Sequence, residues 1–336
     1  MSWLVDHPVL VAPMAGGPST PELVTSAGRA GSCGFLAAGY KAVEAVAAEI
    51  QEVASTGLAF GVNVFVPGGV PDPEDVWGYR QHLQPDYRRF GVEPPDVVLE
   101  DDDSFTAKID LLADVCPPVV SFAFGVPPAG VVSGLRSRGS QVLVMVTNAD
   151  EARLAVAAGA DAVVAQGGEA GGHAATMHPE RYTGTRTTQE VLHEVRAAAA
   201  VPVIAAGGVG TADDVRLLLE AGAVAVQCGT RFLAAAEAGT RRLHVDALLA
   251  HRDSPTVVTR AFTGHPARAL ANRFIDDYSD LAPVAYPAVH HLTAAIRAAA
   301  ARSGDIESLN LWAGTGFAHL ERGTAQQILD DLDPRT

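Results

Sequence analysis

Short apolar runs alternating with helical stretches, eight times along the chain, predict an α/β fold of the (β/α)8 TIM barrel type with a smaller helical cap inserted after the eighth strand. The first observation is the set of runs: PVLVAPM (8–14), GFLAAG (34–39), AFGVNVFV (59–66), VVSFAFGV (119–126), QVLVMVT (141–147), DAVVAQ (161–166), VPVIAAGG (201–208) and AVAVQCGT (223–230). The second is that these runs are nearly unbroken by polar residues, as strands buried on both faces of a parallel sheet must be. The third is size: all the units fit into roughly 230 residues, which suits a closed barrel better than an open sheet with a topological switch point.

The connecting segments read as helices. STPELVTSAGRAG, KAVEAVAAEIQEVASTG, NADEARLAVAAGA, TTQEVLHEVRAAA and TADDVRLLLEAGA mostly open on Ser, Thr or Asn with an acid nearby, and several close on Gly. The third connection, residues 67–118, is Pro-rich and acidic and is expected to be an irregular excursion or lid with one helix near 105–115. Residues 239–303 are expected to form the helical and loop-like cap. Residues 304–336 end on an amphipathic helix, so the barrel is expected to comprise 1–238 together with 304–336.

Bulk properties narrow the function. The 336 residues are 48% hydrophobic and 19% charged, an ordinary composition for a large globular domain. A formal net charge of −15 disfavours nucleic acid or an anionic membrane surface as the main partner. Cys33, Cys116 and Cys228 lie far apart without metal-ligand spacing, which suggests a reducing compartment and neither a disulfide framework nor a metal site. The start, MSWLVDHP, lacks a signal-peptide pattern, and no apolar run reaches membrane-spanning length, so the expectation is a cytoplasmic enzyme. The pattern specifies no oligomeric state.

In such a barrel, chemistry gathers at the C-terminal ends of the strands. There the sequence places Met14-Ala15-Gly16-Gly17, Asn63, the stretch from Gln166 to His173, Gly207-Gly208, and Gln227-Cys228-Gly229-Thr230. Glycine turns that open helices after the last two strands would aim backbone N–H groups and two helix ends at one spot, a phosphate site. The plainer alternative is that these glycines merely make short turns. QGGEAGGHAA (166–175) has no dinucleotide-fingerprint spacing, and the chain lacks H-E-x-x-H, G-x-S-x-G and clustered carboxylates, which removes Rossmann, metalloprotease and serine-hydrolase readings.

His173 is the candidate catalytic residue, set against a surface or capping role. Glu169 could orient it or sit in a solvated turn. Arg268 and Arg273 could steer an anion or fold against Asp276 and Asp277; Tyr278 and Tyr286 could line a pocket or pack. Asp101-Asp102-Asp103 reads as a solvated loop, because consecutive acids cannot all face one ion.

The stretches APMAGGPSTPELVTSAGRAGSCGFLAAG, FGVNVFVP, QGGEAGGHAAT, VPVIAAGGVGTADDV, VQCGTRFL, TGHPARALANRF and YPAVHHLTAAIRAAA resemble the nitronate monooxygenases, formerly 2-nitropropane dioxygenases, of the class I type. The resemblance implies FMN, contacted by Met14, Asn63, Gln166, Gly171, Gly208, Gln227, Cys228, Gly229 and Thr230, with Gly207, Gly208, Gly229 and Thr230 at its phosphate. It implies that the glycines of 166–175 let the backbone lie against the flavin, and that His173 is catalytic. The implied substrate is a nitronate or nitroalkane with O2 and no nicotinamide: the anion passes one electron to the flavin, and semiquinone and substrate radical react with O2 to give a carbonyl compound and nitrite. An FMN-dependent NAD(P)H reductase of quinones or enoyl thioesters is the alternative on the same scaffold, and a flavin-free binding barrel a third. The chain departs from the family pattern at Ala174-Ala175, where GHRG is common, at His265 in place of the Arg of GRPAR, and at His290 in place of an Asn.

Overall fold

The computed structural model describes residues 7–335. The N-terminal stretch read as lacking a leader lies, for Met1 to Asp6, outside the described residues. Each expected barrel strand is present, and all pair in parallel: β1 (Val9–Val11), β2 (Gly34–Ala37), β3 (Phe60–Phe65), β4 (Val119–Ala123), β5 (Gln141–Val146) and β6 (Ala162–Gln166). A two-residue strand, β7 (Gly172–His173), leaves the barrel, which resumes with β8 (Val203–Ala206) and β9 (Ala225–Cys228). The register Val9↔Val226 and Val11↔Cys228 closes the ring between β1 and β9.

Both faces of the strands are covered, as their sequences require. Every residue of β3 is buried. Leu10, Phe35, Leu143 and Ile204 fill the barrel interior, while Val9, Val163, Val203 and Val226 pack outward under helices. Most strands are shorter than the apolar runs because the last residues of the run leave the ladder at the barrel mouth; β6 keeps Gln166, its last residue, in the ladder. The helix Ala325–Leu332 buries Ile328, Leu329 and Leu332 in the same cluster as Val9, Val215 and Val226. Among the described residues, no helix is long and apolar enough to cross a membrane.

Two segments carry more structure than their sequences suggested. Residues 67–118 contain the expected helix, Phe105–Val115, and also helices Pro73–His82 and Gln84–Phe90. Pro and charge masked an apolar stripe in which Val76, Tyr79, Leu83 and Tyr87 recur every three or four residues. Pro73 is tolerated because it lies in the first turn, where Asp72 caps the Glu74 N–H. Residues 239–303 add two strands to their helices, β10 (Thr256–Thr259) and β11 (Ala267–Leu270), which pair antiparallel; β11 then pairs with β7.

The stripe from 76 to 87 packs against Phe262, Phe274, Ile275 and Tyr278. Asp86 fixes this junction: buried, it accepts from Arg273 Nη2 at 2.7 Å and from the Tyr278 hydroxyl at 2.6 Å. Asp86→Ala leaves the Tyr278 phenol without its acceptor and the Arg273 guanidinium with only Asp277 and Ser308. It is expected to cost about 3 kcal/mol, the low end for a broken buried pair because Arg273 keeps some solvent contact, read as a lowered urea midpoint.

Candidate active site

At the C-terminal mouth of the barrel lies a cavity of about 430 Å³. It brings together most of the residues singled out from the strand ends; Gly17 and the segment Gly167 to Glu169 do not line it. Met14, Asn63 and Gln166 reach it from β1, β3 and β6; Gly171 and His173 from the loop and short strand after β6; Gly207 and Gly208 from the turn after β8; and Gln227, Cys228, Gly229 and Thr230 from the end of β9.

The β8 and β9 ends fit a phosphate, on grounds that differ from the two helix ends inferred from sequence. The helix Ala212–Glu220 is already capped by its own acid: Asp214 Oδ2 accepts from the Gly210 and Thr211 N–H groups, each at 2.9 Å. After β9 comes only a short 3-10 turn, Thr230–Ala234. What remains is local backbone. Among the described residues, the N–H groups of Gly208, Gly229 and Thr230 have no acceptor in the protein. Gly207 and Gly208 have φ of +116° and +72°, a conformation that glycine adopts at low cost and that turns successive N–H groups toward one concavity. The Thr230 hydroxyl accepts from the Gly314 N–H at 3.0 Å, which frees its proton for donation into the cavity.

The deeper part fits a polar, planar ring. Gln227 Oε1 is buried without a hydrogen-bond partner, which is costly unless a ligand donor meets it. Asn63 spends its Nδ2 on Ser121 and leaves its Oδ1 unengaged. Met14 presents an apolar wall. Burial pushes the Cys228 thiol up to about 11, so its proximity carries no thiolate chemistry.

The loop 166–175 is held by its own structure. Gln166 is consumed within it, donating to the His173 carbonyl at 3.2 Å and accepting from the Ala175 N–H at 2.6 Å. A Cβ added at Gly167, Gly168 or Gly171 would collide with the Thr188, Gly184 or Gly314 backbone respectively. These glycines therefore serve close backbone packing within the protein. Gly171→Ala is expected to cost about 2 kcal/mol through overpacking, seen as a lowered melting temperature.

His173 is placed by strand pairing and a side-chain contact. Its backbone pairs with Ala267 of β11, and its Nε2 lies 2.9 Å from Thr263 Oγ1. Around the ring stand Phe124, Trp312 and Tyr286, with centroids 5.5, 5.5 and 5.9 Å away. Desolvation, reinforced by His265 and the Arg297 guanidinium, lowers its pKa to about 3. The imidazole is therefore uncharged near neutrality. Glu169 does not orient it; its Oε2 accepts from the Thr188 N–H at 2.7 Å.

Arg268 is held by the Gly168, Thr256 and Gly184 carbonyls and Arg273 by Asp86 and Asp277, so both act in the fold. Tyr278 is part of the packing described above, and the acids 101–103 bind His291, the Ser104 N–H, and Lys108 with the Tyr40 N–H in turn. No metal-holding group of three or more His, Cys, Asp or Glu occurs among the described residues.

Sequence reasoning missed several wall residues. Tyr40 and Phe124 follow β2 and β4 with φ of +65° and +72°, a strained backbone that sequence does not reveal. Thr263, Arg241, Arg297 and Trp312 come from beyond the barrel strands, where only topology shows that they converge. Two of the departures from the family pattern meet directly: His265 Nε2 lies 2.8 Å from the Ala174 carbonyl.

Comparison with known proteins agrees with this architecture. A family model described as nitronate monooxygenase matches residues 2–334. A probable nitronate monooxygenase of Staphylococcus aureus (strain Newman) is 35% identical over 317 residues, covering 92% of this chain and 88% of the relative. Another from Staphylococcus saprophyticus is 34% identical over 337 residues, covering 98% and 94%. Among solved structures, nitroalkane oxidase from Streptomyces ansochromogenes superposes with a TM-score of 0.93 at 42% identity, covering 98% of this chain and 95% of that one. FabK from Thermotoga maritima follows at 0.75 and 27%, covering 98% and 93%. With the family matched across nearly its whole length, the chain belongs to the nitronate monooxygenases, flavin-dependent oxidoreductases.

Proposed function

We propose that the protein binds FMN at the barrel mouth and oxidises alkyl nitronates, such as propionate 3-nitronate, with O2 to carbonyl compounds and nitrite. Two nitronate anions and one O2 balance to two carbonyl compounds and two nitrites. The observation that carries this reading is His173, enclosed by aromatic rings on the wall of a cavity that also holds unsatisfied polar groups suited to a flavin and its phosphate. FMN, when bound, supplies the electron acceptor for the nitronate and the electron donor to O2.

The protein's own groups set the protons and the solvent. When the Thr263 hydroxyl donates to the His265 carbonyl, 3.2 Å away, its lone pair receives the His173 Nε2 proton and Nδ1 keeps a free lone pair. That atom can take the proton α to the nitro group of a neutral nitroalkane. A nitronate arrives without that proton and needs no base. The aromatic ring of Phe124, Tyr286 and Trp312 around the imidazole limits water at the reacting carbon. The same reading divides the chain into a barrel (1–238 with 304–336) and a substrate-side unit (239–303), against which the helices between 73 and 90 pack.

The experiment is rapid mixing of the yellow holoenzyme. Oxygen uptake with propionate 3-nitronate in the absence of nicotinamide is the expected result. Bleaching by NADH with no response to nitronate would instead establish the reductase reading, which the FabK likeness brings into view. Purified protein without absorbance near 450 nm would remove both.

A further inference from the structure

The charged residues of the cavity wall are of one sign. In a chain of net charge −15, no aspartate or glutamate lines the cavity among the described residues, whereas Arg241 and Arg297 do, beside three histidines that burial keeps neutral. Arg241 is exposed; Arg297 is partly enclosed.

Arg297 is the unusual member. It projects from the helix Ala288–Ser303, and its Nε donates to Thr293 Oγ1 at 3.1 Å. One terminal nitrogen, Nη2, reaches His290, contacting Nδ1 at 3.3 Å and donating to the carbonyl at 3.1 Å. His290 in turn stacks on Tyr40, with centroids 4.3 Å apart and planes within 4°. The guanidinium is thereby fixed, yet its Nη1 has no partner, and no carboxylate pairs with it among the described residues. Burial drives its pKa down to about 10, and it still remains a cation near neutrality. A fixed, partly desolvated guanidinium whose Nη1 alone is unengaged is costly to the fold and suited to donating a charge-assisted hydrogen bond to a carboxylate.

Its direct contacts run to the helix 288–303 and, through His290, to Tyr40 after β2. None runs to the β8 and β9 turns that suit the cofactor phosphate. An anion other than the cofactor's is the natural partner. We propose that Arg297 is a specificity-determining residue that binds a second anionic group, a carboxylate on the tail of the nitronate, so that carboxylated nitronates are selected over alkyl nitronates. This rests on the nitronate reading above. Arg241 adds positive potential at the exposed side of the cavity and speeds capture of such dianions.

The test compares propionate 3-nitronate with propyl 1-nitronate in the holoenzyme and in Arg297→Met and Arg297→Lys. For Arg297→Met, kcat/KM on the carboxylated substrate is expected to fall roughly 100-fold, mostly through KM. On propyl 1-nitronate it should stay within about threefold, with flavin content unchanged. Arg297→Lys should recover about tenfold of the loss, as a point charge without the contacts to Thr293 and His290 that fix the guanidinium. Equal losses on both substrates, no loss on either, or loss of flavin would overturn the assignment. Should Arg297→Met fail to fold, the wild-type protein decides: a preference for propionate 3-nitronate over the nitronate of its methyl ester supports it, and equal kcat/KM values overturn it. If the wild-type holoenzyme oxidises no nitronate, the functional reading fails separately. Calorimetric binding of 3-nitropropionate against 1-nitropropane then still tests Arg297: tighter binding of the carboxylate supports the site, and equal binding overturns it.

Discussion

His173→Asn is expected to reduce turnover of neutral nitroalkanes by about 1,000-fold, within the range for loss of a positioned general base, while nitronate turnover falls by less than about tenfold. The split follows from where the proton lies. A nitroalkane must lose its α-proton to a group in the cavity, and among the described residues no carboxylate lines that cavity. The other histidines on its wall, His244 and His290, are engaged with the Trp312 carbonyl and with Arg297. Asn is close in size to the imidazole and can retain a hydrogen bond to Thr263, so the packing of Phe124 and Trp312 around position 173 should survive. With the His173 pKa lowered to about 3, the wild-type rate on nitroalkanes should show no limb from this imidazole between about pH 5 and 8. Full nitroalkane turnover by His173→Asn at normal flavin content would remove the base assignment.

The barrel was legible because each strand is a short apolar run bounded by Gly, Pro or polar residues, and both-face burial leaves little room for another pattern. The residues gathered at its mouth could be placed because strand ends point to one side in any such barrel. What stayed hidden depends on contacts between distant segments. The apolar stripe Val76, Tyr79, Leu83, Tyr87 was diluted by proline and charge, and its burial comes from Phe262 and Phe274, nearly two hundred residues later. β11 became visible only through its partners, since Ala267-Arg268-Ala269-Leu270 is a weak strand sequence that β7 and β10 complete. The glycines of 166–175 looked like ligand contacts, whereas three of them admit neighbouring backbone from residues 184, 188 and 314. Arg297 carried no local signal, because a guanidinium in an alanine-rich helix ordinarily faces solvent.

The second large effect is acid lability, and it has the same origin as the neutral His173. Desolvation lowers His173 to about 3, His244 to about 4, His265 to about 4 and His290 to about 2. In the unfolded chain each titrates near 6.5. At neutral pH neither state binds these protons and the histidines cost nothing. As pH falls below about 6.5 the unfolded chain takes up protons that the folded chain refuses, so stability declines until each folded pKa is passed. Each histidine removes up to about 1.4 kcal/mol per pH unit. Water in the cavity softens the shares of His173, His244 and His290, which leaves roughly 3 to 5 kcal/mol per unit for the four together. Against a total stability of about 5 to 15 kcal/mol, that slope unfolds the protein within a few units below pH 6.5. His244 offers a clean dissection, because its Nε2 touches only the Trp312 carbonyl, at 3.0 Å. Urea midpoints of the wild type and His244→Gln between pH 5 and 7 should show the slope fall by about a quarter. An unchanged slope would mean that the buried histidines accept protons in the folded state, and an uncharged His173 could then no longer be assumed in the chemistry at the barrel mouth.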